Sequence, residues 1–227
     1  MDNEYKLEFK AKHWDSFLSR SFPTARSKYT DEMFNFVWNQ YSISDRSYHN
    51  ISHIENCFDT FSFLLNSNIY DIEALTIAIW FHDVIYDSRQ NNNEEQSAIL
   101  AKAFCYALNC TEEFSNKVEQ LILFTKHNKK ASTVDEKIIS DVDLAILSSS
   151  PLEFWDYSKG IRQEYSWAPD IVYYPNRLKF LENLLLKKSI YYTKNFNKSY
   201  KQFPSRAADA KSNIALEIKY IKGILNK

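Results

Sequence analysis

The sequence predicts an all-helical fold: a single bundle of about ten helices spanning residues 1–227. Three observations carry that expectation. Only two glycines, Gly160 and Gly223, occur in 227 residues, too few for the turns and phosphate loops of a β-rich or α/β fold. Apolar residues recur every three or four positions, which places them on one face of a helix. Helix start signals stand where that periodicity begins.

The elements follow in order. Ile51, Ile54, Phe58, Phe61 and Leu65 mark one helix face. Residues 74–80 are apolar nearly all round, the pattern of a central buried helix. A polar loop is expected over residues 87–93. Thr111-Glu112-Glu113 opens the next helix with a cap and two first-turn acids, and Phe114, Val118, Leu121 and Ile122 form its stripe. Residues 126–132 read as a second polar loop. Ser150-Pro151-Leu152-Glu153 reads as an N-cap, a first-turn proline and an early acid. Pro169 and Pro175 are expected to bracket an irregular connection. Pro204 precedes a last helix striped by Ile214, Ile218, Ile221 and Leu225.

Composition narrows the function. The net charge is −1, so no strong field favours nucleic acid or an anionic membrane. No apolar run approaches the ~18 residues of a membrane span, and the first six residues have no apolar signal core. A cytoplasmic location is the expectation. Cys57, Cys105 and Cys110 lack Cys-x-x-Cys spacing. They are expected on helices as small buried apolar residues rather than in a disulfide or thiolate zinc site.

Four of the five histidines fall in three places: Tyr48-His49-Asn50-Ile51-Ser52-His53, Phe81-His82-Asp83 and Lys126-His127-Asn128. The pair Asp141 and Asp143 follows. Imidazoles and carboxylates are the donors a hydrolytic metal site needs. On one helix, His49 and His53 would share a face one turn apart. His82-Asp83 ends the most apolar helix, and Asp143 lies among Ile138, Ile139 and Leu144, where a carboxylate needs a counter-charge. Asp141, two residues back, is expected to face away, at the surface or behind the ligands. His13 has no partner motif and reads as structural or exposed.

These elements resemble the HD superfamily of metal-dependent phosphohydrolases, whose signature is a His, a His-Asp doublet and a distant Asp, all on helices. More narrowly, the chain is similar to a bacterial family of predicted HD phosphohydrolases. That likeness rests on Tyr48 to His53, Phe81 to Asp87, Asn93-Glu94-Glu95-Gln96-Ser97-Ala98 and Ile161-Arg162-Gln163-Glu164-Tyr165. It runs from about residue 13 to the C-terminus, and four ordered motifs are far more specific than the doublet alone.

The resemblance implies metal-dependent hydrolysis of a small-molecule phosphate ester, possibly a nucleotide. It implies His53, His82, Asp83 and Asp143 as ligands of a divalent cation (Mn, Fe, Co, Ni, Zn or Mg). The first motif is also similar to that of cyclic-nucleotide phosphodiesterases, which implies that His49 protonates the leaving oxygen while His53 binds metal. The reverse assignment stays open, because other HD proteins align their first ligand with His49.

Glu94 or Glu95 is expected to orient water or a ligand, or else to stabilise a helix N-terminus. Lys126, His127 and Arg162 are candidate phosphate contacts; His127 reads equally as a ligand of a second metal or an exposed loop histidine, and for Arg162 the alternative is a surface pair with Glu164. Tyr157, Tyr165 and Tyr173 are either a stacking wall or packing residues. Two other functions stand beside hydrolysis. One is a non-catalytic nucleotide sensor. The other is an HD-type di-iron oxygenase, disfavoured because His127 is the sole histidine between the doublet and Asp143.

Overall fold

A computed structural model describes residues 13–24, 28–64, 71–197 and 206–226. The protein is all-α: among the described residues there is no strand, and ten of eleven helices have seven residues or more. They are α1 (13–21), α2 (Lys28–Tyr41), α3 (Ile51–Leu64), α4 (Ile72–Phe81), α5 (Asn93–Ala107), α6 (Glu112–Phe124), α7 (Val134–Asp143), α8 (Pro151–Glu164), α9 (Asp170–Leu186), α10 (Lys194–Asn197) and α11 (Arg206–Leu225). A 3-10 turn, Leu144–Ser148, continues α7.

Helix α4 is the hub. Every residue from Ala74 to Phe81 is buried, as its all-round apolar sequence requires. Helices α3, α5, α6 and α7 pack around it. Trp80 and Phe81 join Trp14, Phe34 and Phe104 in an aromatic cluster with ring centroids 5.2 to 6.4 Å apart. On the other side of the bundle, α11 packs on α9 and on the 3-10 turn, and α8 packs on that turn too.

The caps expected at Thr111 and Ser150 are in place, and Asp71 and Thr133 cap two further helices. Asp71, Thr111, Thr133 and Ser150 each accept a backbone N–H from the first turn of α4, α6, α7 and α8, and Thr133 and Ser150 complete reciprocal capping boxes. Each cap stabilises its helix by about 1 kcal/mol. Residues 87–91 and 126–132 lie outside helices, as expected, while Asn93 already opens α5. His13 is exposed. Leu65 and Pro204 lie outside the described residues.

Three expectations about local structure are corrected. His49 does not share a helix with His53. The Asn50 side chain accepts the Ser52 N–H at 2.9 Å and its carbonyl accepts the His53 N–H at 3.1 Å. Asn50 therefore starts α3, and His49 lies in the turn before it.

Pro169 and Pro175 do not bracket a loop. Pro169 precedes the first turn of α9, and Pro175 lies inside that helix. Tyr173, Arg177, Leu181 and Leu184 form a buried stripe across Pro175. Their packing outweighs the lost hydrogen bond, whose freed carbonyl belongs to Ile171, 80% exposed.

Cys57 and Cys105 are buried on helices, but Cys110 is half-buried in the loop after α5. There Asn109 adopts φ 57° and the Cys110 N–H reaches the Cys105 carbonyl at 3.0 Å. This left-handed helix stop leaves Cys110 beyond the helix.

Candidate metal centre

Helix α4 delivers His82 as its C-cap residue, with Asp83 in the turn that follows. Helix α3 supplies His53 from its first turn, and Asp143 is the last residue of α7. These three ends converge. One donor atom from each of His53, His82, Asp83 and Asp143 lies within 4.8 Å of the others, a group that could hold a metal ion.

The edges of this group have metal-like lengths. The two Nε2 atoms are 3.0 Å apart. His82 Nε2 lies 3.2 Å from Asp83 Oδ2 and 3.6 Å from Asp143 Oδ1, and His53 Nε2 lies 3.6 Å from both carboxylates. A cation with ligand bonds of about 2.0–2.2 Å gives donor separations of about 3.0–3.6 Å. The rings are also aimed. His82 Nδ1 lies 2.9 Å from the Ile79 carbonyl and can only donate to it. The neutral ring therefore presents the Nε2 lone pair to its neighbours.

The charges are strained without a cation. Burial disfavours charge on every member. Asp83 is nonetheless held well below the usual carboxylate range by His82 and His49, and Asp143 by His127 and His82. The same two carboxylates outweigh burial at His82 and raise its pKa well above the ordinary histidine value. Burial and the neighbouring His82 push His53 down to about 4. Two carboxylates thus face one protonatable and one neutral imidazole. A proton on His82 occupies the electrostatic role a metal ion would fill more fully.

His49 stands beside this group, its Nε2 3.9 Å from Asp83 Oδ2. Its other nitrogen meets Glu164 Oε2 at 2.7 Å. Glu164 is buried and saturated: it also accepts the Tyr86 hydroxyl at 2.9 Å and the backbone N–H groups of Tyr48 and His49 at 2.7 and 2.9 Å. Burial opposes charge on the His49 ring, but Asp83 and Glu164 outweigh it and raise the pKa. Gly160 makes this contact possible. A Cβ there would sit 3.2 Å from the Tyr48 Cβ and 3.3 Å from the Ser47 carbonyl oxygen. The absence of a side chain lets the His49 turn rest on α8, one turn before Glu164. The turn is tied from the other side by buried Arg46, which donates to the carbonyls of Asp83 at 2.7 Å and Val84 at 2.9 Å.

Asp83 and Asp143 of this group line a cleft of roughly 630 Å³, whose walls include Tyr86, Lys126, Tyr157, Tyr165, Trp167 and Tyr173. His127 enters it with φ 53°. That left-handed conformation costs about 1–3 kcal/mol in a residue with a Cβ. It aims Nε2 at Asp143 Oδ2, 2.8 Å away. Asp143 therefore gives one oxygen to the imidazole pair and the other to His127. Glu94 lies on the cleft wall, 3.7 Å from the Lys126 ammonium, which pairs more closely with Glu95 at 2.6 Å.

Two expected placements are corrected. Arg162 is not among the cleft-lining residues. Its guanidinium donates to the carbonyls of Tyr165 and Ala168 in the turn after α8 and pairs with Asp170 at 2.7 Å. Nor does it pair with Glu164, which turns inward to His49. Asp141 does face away from the group, but it is fully buried rather than at the surface. It accepts the N–H groups of Tyr192 and Thr193 at 2.8 and 2.7 Å and so pins the segment after α9. Glu164, Arg46 and Tyr86 are the residues that sequence reasoning missed as parts of the site. Glu164 and Tyr86 stood inside quoted motifs; Arg46 carried no signal beyond its position just before Tyr48.

No family model matches the chain, and no solved structure matches it. Over 100 residues, 44% of the chain, it is 31% identical to a protein of the yeast Vanderwaltozyma polyspora described as mitochondrial translation factor ATP22. The chain covers 13% of that protein's length, a share that fixes no family.

Proposed function

We propose that the protein is an HD-type hydrolase that uses a divalent cation to cleave a phosphate ester, with a nucleotide as the candidate class of substrate. The observation that carries this reading is the convergence of His53, His82, Asp83 and Asp143 within 4.8 Å beside a cleft of small-molecule size. The order of these residues along the chain also fits the HD signature. A cation held there would supply a Lewis acid and a more acidic water at neutral pH.

The remaining chemistry belongs to the chain. His49, with its Nδ1 proton held by Glu164, presents Nε2 toward the group. Its raised pKa favours the charged form, the state that can protonate a leaving oxygen. This pairing favours His53 as ligand and His49 as proton donor. His127 holds Asp143 in place. Lys126 offers the cleft a positive charge that a phosphate would take from half-buried Glu95. The tyrosines and Trp167 provide an apolar wall on which a base could stack.

The test is metal content and phosphate release measured together. The purified protein, loaded with Mn2+, is expected to release phosphate from some member of a nucleotide and sugar-phosphate panel. His82→Ala and Asp143→Ala are expected to lose both metal and turnover. If both variants keep the wild-type metal content, the reading fails.

A further inference from the structure

Cys57 lies one turn after His53 on α3 and is 1% exposed. Its Sγ is 3.7 Å from His53 Nε2. Together with His53 and His82 it forms a second donor group, all buried, whose atoms also lie within 4.8 Å of one another. The thiol and the two carboxylates do not close into one such group with the imidazoles. The imidazole pair therefore has two faces, one toward Asp83 and Asp143 at the cleft and one toward Cys57 in the core.

We propose that His53, Cys57 and His82 form a second, inner position for a thiophilic divalent cation such as Zn2+ or Cd2+, sharing both imidazoles with the carboxylate position. The dimensions suit it. Tetrahedral zinc with bonds of about 2.0 Å to nitrogen and 2.3 Å to sulfur gives edges of about 3.3 Å between nitrogens and 3.6 Å between nitrogen and sulfur. The corresponding separations here are 3.0 and 3.7 Å.

Donor softness then decides where a cation sits. Mg2+ and Mn2+ prefer carboxylate oxygen, whereas Zn2+ and Cd2+ gain from thiolate. As the inner position fills, the Cys57 S–H bond breaks, its proton leaves to solvent and the sulfur lone pair bonds the cation. Since the imidazoles are shared, an inner cation excludes an outer one. A thiophilic ion therefore competes with Mn2+ without touching the cleft. This inference concerns metal occupancy and does not need the hydrolase reading to hold.

The experiment reads sulfur rather than turnover. Cd2+ added to the metal-stripped full chain is expected to give a sulfur-to-metal charge-transfer band in the ultraviolet. Cys57→Ser should lose that band and still bind Mn2+. Asp143→Asn should keep the band and lose Mn2+ binding. A band that persists in Cys57→Ser would assign it to Cys105 or Cys110 and overturn the proposal, as would loss of both signals in Asp143→Asn. Should Cys57→Ser fail to fold, X-ray absorption of the zinc-loaded wild-type chain decides. A sulfur scatterer at about 2.3 Å that persists in Cys105→Ala and Cys110→Ala chains supports the inner position, and its loss there or a shell of nitrogen and oxygen alone overturns it.

Discussion

Two of the charge clusters among the described residues are built on opposite principles. Arg177 and Glu217 join α9 to α11 through two parallel hydrogen bonds of 2.8 and 3.0 Å. Tyr157 accepts a further guanidinium N–H at 3.2 Å, and Ser158 donates to Glu217 at 2.8 Å. One cation meets one anion, and the pair is complete. The cluster around His82 gathers two carboxylates against imidazoles whose charge depends on a proton. Burying charge is tolerated in either place, but only the second leaves room for a cation from outside. The difference separates a cluster that holds helices together from one that can bind something.

The largest effect expected from breaking this contrast is on the histidine and aspartate cluster. His82→Ala or Asp143→Asn should remove metal and lower hydrolysis by about 10³-fold or more, the several kcal/mol that a cation contributes to a phosphoryl transition state. Elemental analysis and initial rates measure both.

Arg177→Met should do the reverse. Leaving Glu217 buried and unpaired costs about 3–5 kcal/mol of stability, read by denaturant unfolding, while metal content per folded chain stays at the wild-type level. Adding Glu217→Leu should recover most of that loss. A single Arg177→Met variant with unaltered stability would erase the distinction between the two clusters.

Glu164→Gln sharpens the contrast within the candidate site. It should keep the metal and lower turnover by about 10²-fold, the low end for general acid catalysis. The pH profile gives the more specific readout. His49 must be protonated to donate, so activity falls as pH rises through its pKa. Glu164 helps raise that pKa, so the alkaline limb should move to lower pH in the variant.

Much of this is legible in the sequence. The all-apolar run of α4 and the caps at Thr111 and Ser150 follow from residue types and spacing, whereas the grouping of His53, His82, Asp83 and Asp143 is what the family resemblance implies. Their partners were harder to see because their roles depend on tertiary approach. Glu164 reads as a polar residue near a helix end, and only the close contact of Gly160 with Ser47 and Tyr48 brings it to His49. Arg162 reads as a candidate phosphate contact or a surface pair with Glu164, yet the carbonyls of Tyr165 and Ala168 and the Asp170 carboxylate hold it. Pro175 reads as a helix breaker in isolation, and the buried stripe on either side of it overrides that tendency. Cys57 reads as a packing residue until the ring of His53 is placed beside it.

A smaller effect follows from pH. In the metal-stripped chain the raised pKa of His82 means its charged form stabilises the fold. That contribution is full below the ordinary histidine value of about 6.5 and disappears as pH rises through the folded value. The same proton competes with metal. Affinity for Mn2+ should therefore drop by about tenfold per unit as pH falls below the folded pKa, measured by titration calorimetry at several pH values. The Arg177 and Glu217 cluster should show no such linkage to metal.

The central claim is that the cluster around His82 binds a divalent cation and the cluster around Arg177 does not. Equilibrium titration of metal-stripped wild-type, Asp143→Asn and Arg177→Met chains with Mn2+ tests it most directly. The account predicts saturable binding to the wild-type chain and to folded Arg177→Met, and its loss in Asp143→Asn. Equal binding by wild type and Asp143→Asn, or no binding by either, would contradict it.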